Sequence, residues 1–323
     1  MKFAKQTLMT GAILAVLALP ARADLITFDP TGTPGSGGDI TGVNVFDWSP
    51  GNALAVNVNG PNGITVGSSF TTYFQANLGT VLGVSPPPLF TDGGGGNFFT
   101  AVAGFGETVA TCSSGAGAGF CSNATFAFDP SNSTNFFEIF KVPATGGNDL
   151  TGANFVAGSA ILSGHIIPNN FSSNFALAAS GGTTPQLLDQ NGNDDWAGTQ
   201  TVSGTGASKI TVMIDSANQN YFPGLTAGSI IVLSAFNTSQ VLPYSQTDPS
   251  RCMANATTNC AITSLIGAFN GAPVGSSGGP DVLFQADANQ SFKLATVPEP
   301  GTLALIGIGV LGLGVLRKRQ VRG

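Results

Sequence analysis

Short runs of alternating apolar and polar residues recur through the middle of the chain. Such alternation is typical of half-buried strands, because successive side chains of a strand point to opposite faces. The apolar positions of the clearest runs are Leu54, Val56 and Val58, then Phe99, Ala101, Ala103 and Phe105, and then Ile210, Val212 and Ile214. Further candidate strands cover residues 70–75, 125–129, 136–141, 158–167, 229–236 and 282–286.

Clusters of Gly, Asn, Pro and Ser separate these runs and are typical of turns, and no long helical period lies between the two ends of the chain. Many short strands with glycine-rich turns predict an all-β body, an antiparallel β-sandwich of jelly-roll-like form. We expect this body to cover residues 24–296. A subdivision near residues 145–151 would give two β domains, and the pattern leaves one or two domains open.

The first residues have the three parts of a secretion signal. Two lysines precede an apolar run at residues 11–19, and Ala21 and Ala23 form a small-x-small cleavage site. The pattern therefore predicts a signal peptide at residues 1–23, a signal helix that directs export through the Sec machinery. We expect the mature chain to begin at Asp24.

The C-terminal end has the order of a short membrane anchor. Pro298, Glu299 and Pro300 precede an apolar segment at residues 303–316, which four basic residues follow. As a helix this segment spans roughly 21 Å, less than the roughly 30 Å of a bilayer core. Basic residues stay on the cytoplasmic side, so the order predicts a short transmembrane helix with the body outside the inner membrane.

This tail, at residues 297–323, resembles the PEP-CTERM sorting signal of Gram-negative bacteria. In that family the membrane peptidase exosortase recognises the Pro-Glu-Pro motif and removes the helix. The resemblance implies that Pro298, Glu299 and Pro300 are the recognition residues. It also implies only transient contact with the inner membrane, followed by delivery to the cell surface or the extracellular matrix.

The charge balance narrows the set of partners. Residues 24–297 contain sixteen acidic and four basic residues, which gives a net charge of about −12. Phosphate binding requires clusters of Lys or Arg, so nucleic acid is excluded as a partner. The 23 Phe of the chain and its many aliphatic residues argue against disorder, because disordered chains avoid such residues.

The four cysteines fall into two close pairs, Cys112 with Cys121 and Cys252 with Cys260. Export places them in an oxidising compartment, which favours two local disulfides. A metal site is the alternative, but neither pair has the C-x-x-C spacing that zinc sites use.

The chain carries little catalytic chemistry. His165 is the single histidine and lies in an apolar run, where a structural role is expected, and the body has only two glutamates. No catalytic set and no cofactor are predicted. One segment offers alternate oxygen ligands for calcium but departs from the EF-hand pattern, so a solvated turn is the competing interpretation. Its candidate ligands are Asp189, Asn191, Asn193 and Asp195.

Residues 150–295 resemble the flocculation-associated PEP-CTERM proteins of floc-forming bacteria, most distinctively at residues 284–292. The resemblance implies a secreted, non-enzymatic protein that acts with exopolysaccharide in flocculation or biofilm. Two alternatives stay open at this point. One is a lectin-like carbohydrate-binding module, and the other is a polysaccharide-acting enzyme with a carboxylate pair.

Overall fold

A computed structural model describes residues 24–58, 64–113, 121, 123–149, 152–177, 186–187, 200–201, 204–238, 269–270 and 281–295. Within these residues the chain forms strands and one 3-10 turn at Gly94–Gly96. The strands are β1 (Ile26–Phe28), β2 (Ile40–Val43), β3 (Val45–Val56), β4 (Ser69–Leu82), β5 (Phe90–Thr91), β6 (Phe98–Ser113), β7 (Asn123–Phe128), β8 (Asn135–Val142), β9 (Ser159–Leu177), β10 (Gln186–Leu187), β11 (Gln200–Thr201), β12 (Gly204–Ala217), β13 (Ile230–Thr238), β14 (Phe269–Asn270) and β15 (Val282–Lys293).

The main sheet is antiparallel and closes on itself. Its neighbours run in the order β4, β3, β15, β13, β12, β9, β8 and β6, and β6 pairs again with β4. Both β7 and β8 lie between β6 and β9. β8 pairs with one end of these two strands and β7 with the other end, so together they fill one of the eight strand positions of the barrel. Two small sheets, β1–β2 and β10–β11–β14, accompany it.

The prediction of an all-β body is confirmed, and the prediction of a sandwich or jelly roll is wrong. A sandwich needs two sheets with free edges, whereas the register between β4 and β6 runs unbroken from Ser69↔Thr108 to Asn77↔Thr100 and removes the edges. Alternation shows which residues share a face of a strand. It does not show whether the first and last strands of a sheet meet.

The two ends of the barrel differ in what fills them. At the end that we call lower, β1 places Phe28 under the barrel, where its ring packs on Phe46, Phe99 and Phe222 with centroids 5.0 to 5.4 Å apart. Trp48 and Phe292 are also buried there. Bulky aromatic rings therefore close the lower end.

At the upper end, where β3 leads to β4 and β6 to β7, the inward positions carry small residues instead. Alanines occupy them on five strands. These residues are Ala53, Ala55, Ala103, Ala124, Ala235 and Ala286. The change from rings to methyl groups leaves space inside the upper half of the barrel.

In the connection from β8 to β9, the described residues 143–149 and 152–158 fold back over the outside of the barrel. Its Phe155 is buried against Val102 and Phe140. The Asn77 side chain accepts a 2.8 Å hydrogen bond from the Gly147 backbone N–H and donates one of 3.0 Å to the Gly147 carbonyl oxygen. β8 and β9 pair directly with each other on either side of this connection.

Among the described residues, no helix has the length and apolar character needed to cross a membrane. The predicted signal helix at residues 1–23 and the predicted short helix at residues 303–316 both lie outside the described part of the chain.

Candidate functional site

The space inside the upper half of the barrel is a cavity of about 90 Å³. Aromatic side chains lie above the alanines. The ring centroids of Phe70 and Phe126 are 5.2 Å apart in an edge contact, and those of Phe175 and Phe284 are 6.4 Å apart. The wall is almost entirely apolar. A closed barrel of eight strands has an interior that side chains fill or that holds one small ligand.

Among the described residues that line this cavity, Glu107 on β6 is the one with a carboxyl group. Its side chain is buried, and the Thr72 hydroxyl donates a hydrogen bond to its Oε2 atom. The Oε1 atom is also buried and has no hydrogen-bond partner among the described residues. The nearby Ser173 hydroxyl shares a 3.3 Å hydrogen bond with Ser208.

Burial governs the protonation of this carboxyl. Removal from water disfavours the charged form and raises the pKa of Glu107 to about 7, although the Thr72 and Ser173 hydroxyls act in the opposite direction. Below neutral pH, Glu107 is therefore a neutral acid with one O–H group. A neutral carboxylic acid in an apolar site can donate as well as accept a hydrogen bond.

Beside this wall, a disulfide joins Cys112 at the end of β6 to Cys121 just before β7. Cys121 is buried and lines the cavity. This confirms the predicted pairing of Cys112 with Cys121. In the chain-entropy model a bridge that closes so short a loop contributes about 2.7 kcal/mol to stability.

The outer face of β9, β12, β13 and β15 carries a shallow groove of about 360 Å³. Its exposed side chains are small and polar, with one lysine and one aspartate. They are Ser172, Asn174, Lys209, Ser234, Asp287 and Asn289. Burial and the charge of Asp47 raise the pKa of Asp287 above its usual range. This face presents hydroxyl and amide groups in rows set by the strand spacing.

Two half-buried carboxyl groups lie outside the barrel interior. Asp149 belongs to the β8–β9 connection, accepts a 3.0 Å hydrogen bond from Asn77, and has its pKa raised to about 7 by partial burial. Burial also raises the pKa of Asp92 to about 7, against the opposing effect of the 2.9 Å hydrogen bond from the Phe99 backbone. Both make the fold sensitive to pH.

His165 lies on the outer face of the barrel. Its Nδ1 atom is 2.9 Å from the Oδ1 atom of Asp215 on the neighbouring strand β12. Both side chains are substantially exposed, so they form a surface pair that links β9 to β12.

The remaining predicted site residues lie outside the described part of the chain. They are Ala21 and Ala23 of the cleavage site, Cys252 and Cys260, the calcium candidates Asp189, Asn191, Asn193 and Asp195, and the motif residues Pro298, Glu299 and Pro300. Asp24 is described, and its carboxylate accepts a 2.8 Å hydrogen bond from the Leu294 backbone. In the described ranges, no group of three His, Cys, Asp or Glu residues is arranged to hold a metal ion.

Sequence reasoning did not single out Glu107 as a site residue. The alternation of inward-facing and outward-facing residues along β6 could have identified it. Phe99, Ala101, Ala103 and Phe105 all face the interior, and Glu107 is the next position on that face.

Comparison with known proteins identifies the C-terminal segment. The family model of the PEP-CTERM protein-sorting motif matches residues 296–319, which include Pro298, Glu299 and Pro300. The match begins directly after the last described residue of the body and does not extend into the barrel. No curated protein and no solved structure matches the chain. The chain therefore carries a PEP-CTERM protein-sorting motif, which indicates an exported cell-surface protein that exosortase processes.

Proposed function

We propose that this protein acts non-enzymatically at the cell surface, in flocculation or biofilm, together with exopolysaccharide. The proposal rests on one observation: the first and last described residues of the body lie at the same end of the barrel. The Asp24 backbone donates a 3.0 Å hydrogen bond to Phe292, and the Ala295 backbone donates one of 3.1 Å to Ser229. Both ends of the body therefore lie together at the lower end of the barrel.

The sorting motif follows directly at residue 296. A barrel that is held through its lower end directs its upper end and its polar outer faces away from the cell. A body with few charges and many hydroxyl and amide groups offers neutral hydrogen-bond partners to a glycan. These features support a protein that is displayed within a polysaccharide layer.

Deletion of the gene in the native host tests this role. We expect dispersed cells that still secrete polysaccharide, because the proposal places the protein in the matrix and not in polymer synthesis. Wild-type protein restores flocs, and Glu299→Ala does not, because the motif loses its carboxylate. Asp39→Ala removes a carboxylate from an exposed loop of the body and serves as the matched control, which restores flocs.

Normal flocs in the deletion strain would contradict the matrix role. A fall in polymer viscosity on incubation with purified protein would contradict the non-enzymatic part of the proposal and favour a polysaccharide-acting enzyme.

The groove on the outer face favours a second candidate, a lectin-like module. Its amide side chains, Asn174 and Asn289, can each donate and accept hydrogen bonds to sugar hydroxyl groups. Saturable binding of one oligosaccharide that Asn174→Ala and Asn289→Ala both weaken would support the lectin. Unsaturable association with bulk polysaccharide would favour the matrix component.

A further inference from the structure

The upper cavity contains a feature that its apolar wall does not explain. A carboxyl group is costly to bury among alanine and phenylalanine side chains unless each of its atoms finds a partner. Glu107 satisfies Oε2 with the Thr72 hydroxyl and leaves Oε1 buried without a partner among the described residues. A barrel built only for stability would carry an apolar residue at this position.

From this geometry we propose that the upper cavity is a binding site for a small, neutral, largely apolar molecule with one carbonyl or hydroxyl oxygen, which hydrogen bonds to Glu107. The apolar wall selects the body of the ligand, and Glu107 selects its single polar atom. The inference goes beyond the matrix role and does not depend on it.

The size of the cavity limits the ligand. Its volume of about 90 Å³ is larger than the roughly 30 Å³ of one water molecule. It is smaller than the roughly 150 Å³ of an engineered apolar cavity that binds benzene. Since the larger cavity takes the six carbon atoms of benzene, a molecule of about four non-hydrogen atoms is the upper limit here without movement of the wall.

The charge of the site limits the ligand further. None of the described residues that line the cavity is basic, so a carboxylate or phosphate ligand would meet no counter-charge among them. A neutral carbonyl compound can accept the O–H of protonated Glu107, and a neutral alcohol can donate to or accept from it.

Two probes of equal size separate the roles of the wall and the carboxyl group. Acetone and 2-methylpropane each have four non-hydrogen atoms, and only the ketone can accept a hydrogen bond. Uptake of each volatile probe by the exported protein, purified from the native host, is measured by headspace partitioning at pH 5.5. We expect saturable uptake of both by the wild-type protein.

Substitution of Glu107 then tests the polar contact. We expect Glu107→Leu to weaken acetone binding at least tenfold while 2-methylpropane binding is kept. Glu107→Gln keeps an amide that can donate a hydrogen bond, so it retains acetone binding. Ala55→Leu fills the cavity and abolishes uptake of both probes. Asp129→Asn, at an exposed turn, is the matched control and changes neither.

Thermal unfolding checks that each variant is folded. If Glu107→Leu does not fold, the pH dependence replaces it, because Glu107 loses its proton as the pH rises through about 7. The acetone affinity of the wild-type protein then falls at least tenfold between pH 5.5 and 8.5, and that of Glu107→Gln stays constant. Absence of saturable uptake by the wild-type protein, or unchanged acetone affinity in Glu107→Leu, would overturn the proposal.

Discussion

Raising the pH from 5 to 8 lowers the free energy of unfolding of the exported protein by about 3 kcal/mol through Glu107 alone. The folded protein holds the pKa of this buried carboxyl at about 7, above its ordinary value of 4.5. The folded state therefore binds the proton more tightly than the unfolded state does. The stabilisation is complete below about pH 4.5, is lost as the pH rises through about 7, and is absent above it.

Asp92 and Asp149 act in the same direction, since burial raises the pKa of each to about 7. The measurement is urea unfolding at several pH values for the wild-type protein and for Glu107→Gln. The two proteins should differ little at pH 5, and the variant should be more stable at pH 8 by about 3 kcal/mol.

Asp129→Asn is the control for this experiment. The Ser131 hydroxyl and backbone lower the pKa of Asp129, so its titration lies below the window from pH 5 to 8. It should leave the slope of stability against pH unchanged. A Glu107→Gln variant with the wild-type slope would show that Glu107 is already ionised in the folded protein at pH 5.

Phe28→Ala is expected to destabilise the fold by about 3 to 5 kcal/mol, as large aromatic residues do when they are removed from a core. The Phe28 ring is fully buried and contacts four other rings that close the lower end of the barrel. Its loss leaves a void and weakens the packing of β1 under the barrel.

Leu25→Ala is the matched control, because Leu25 immediately precedes β1 and is 48% exposed. We expect it to change stability by less than about 0.5 kcal/mol. Urea unfolding at pH 5 measures both variants. Equal effects of the two substitutions would contradict the assignment of Phe28 as the residue that closes the lower end.

The strands could be predicted from the sequence because alternation reports directly on burial. The run from Phe99 to Phe105 lies within β6 and the run from Ile210 to Ile214 within β12, and both face the interior. Closure could not be predicted in the same way. It depends on β4 pairing with β6 as well as with β3, a property of strand tilt and register around the whole sheet.

The run near Leu54 shows a second limit of such reasoning. The register between β3 and β4 shifts between Trp48 and Asn52, so the inward-facing residues of β3 have even numbers before the shift and odd numbers after it. The small residues Ala53 and Ala55 line the cavity, and Leu54 is fully buried on the other face. Both faces of β3 are covered here, and the larger residue does not mark the interior.

The candidate site could be predicted only in part. The Pro298-Glu299-Pro300 motif is a local signal that a short segment carries by itself, and the disulfide from Cys112 to Cys121 follows from proximity along the chain and export. The Glu107 site combines residues from strands that are distant in sequence, such as Thr72 on β4 and Ser173 on β9. Its geometry exists only after the barrel closes.

Sorting at the C-terminal motif is tested most directly by intact mass spectrometry of the protein recovered from outside the cells. We expect a species that begins at Asp24 and lacks the apolar and basic segment from residue 303 onward. Glu299→Ala should remain with the cells and keep that segment. Extracellular protein that retains the chain through Gly323 would contradict processing by exosortase, and with it the surface role proposed for the barrel.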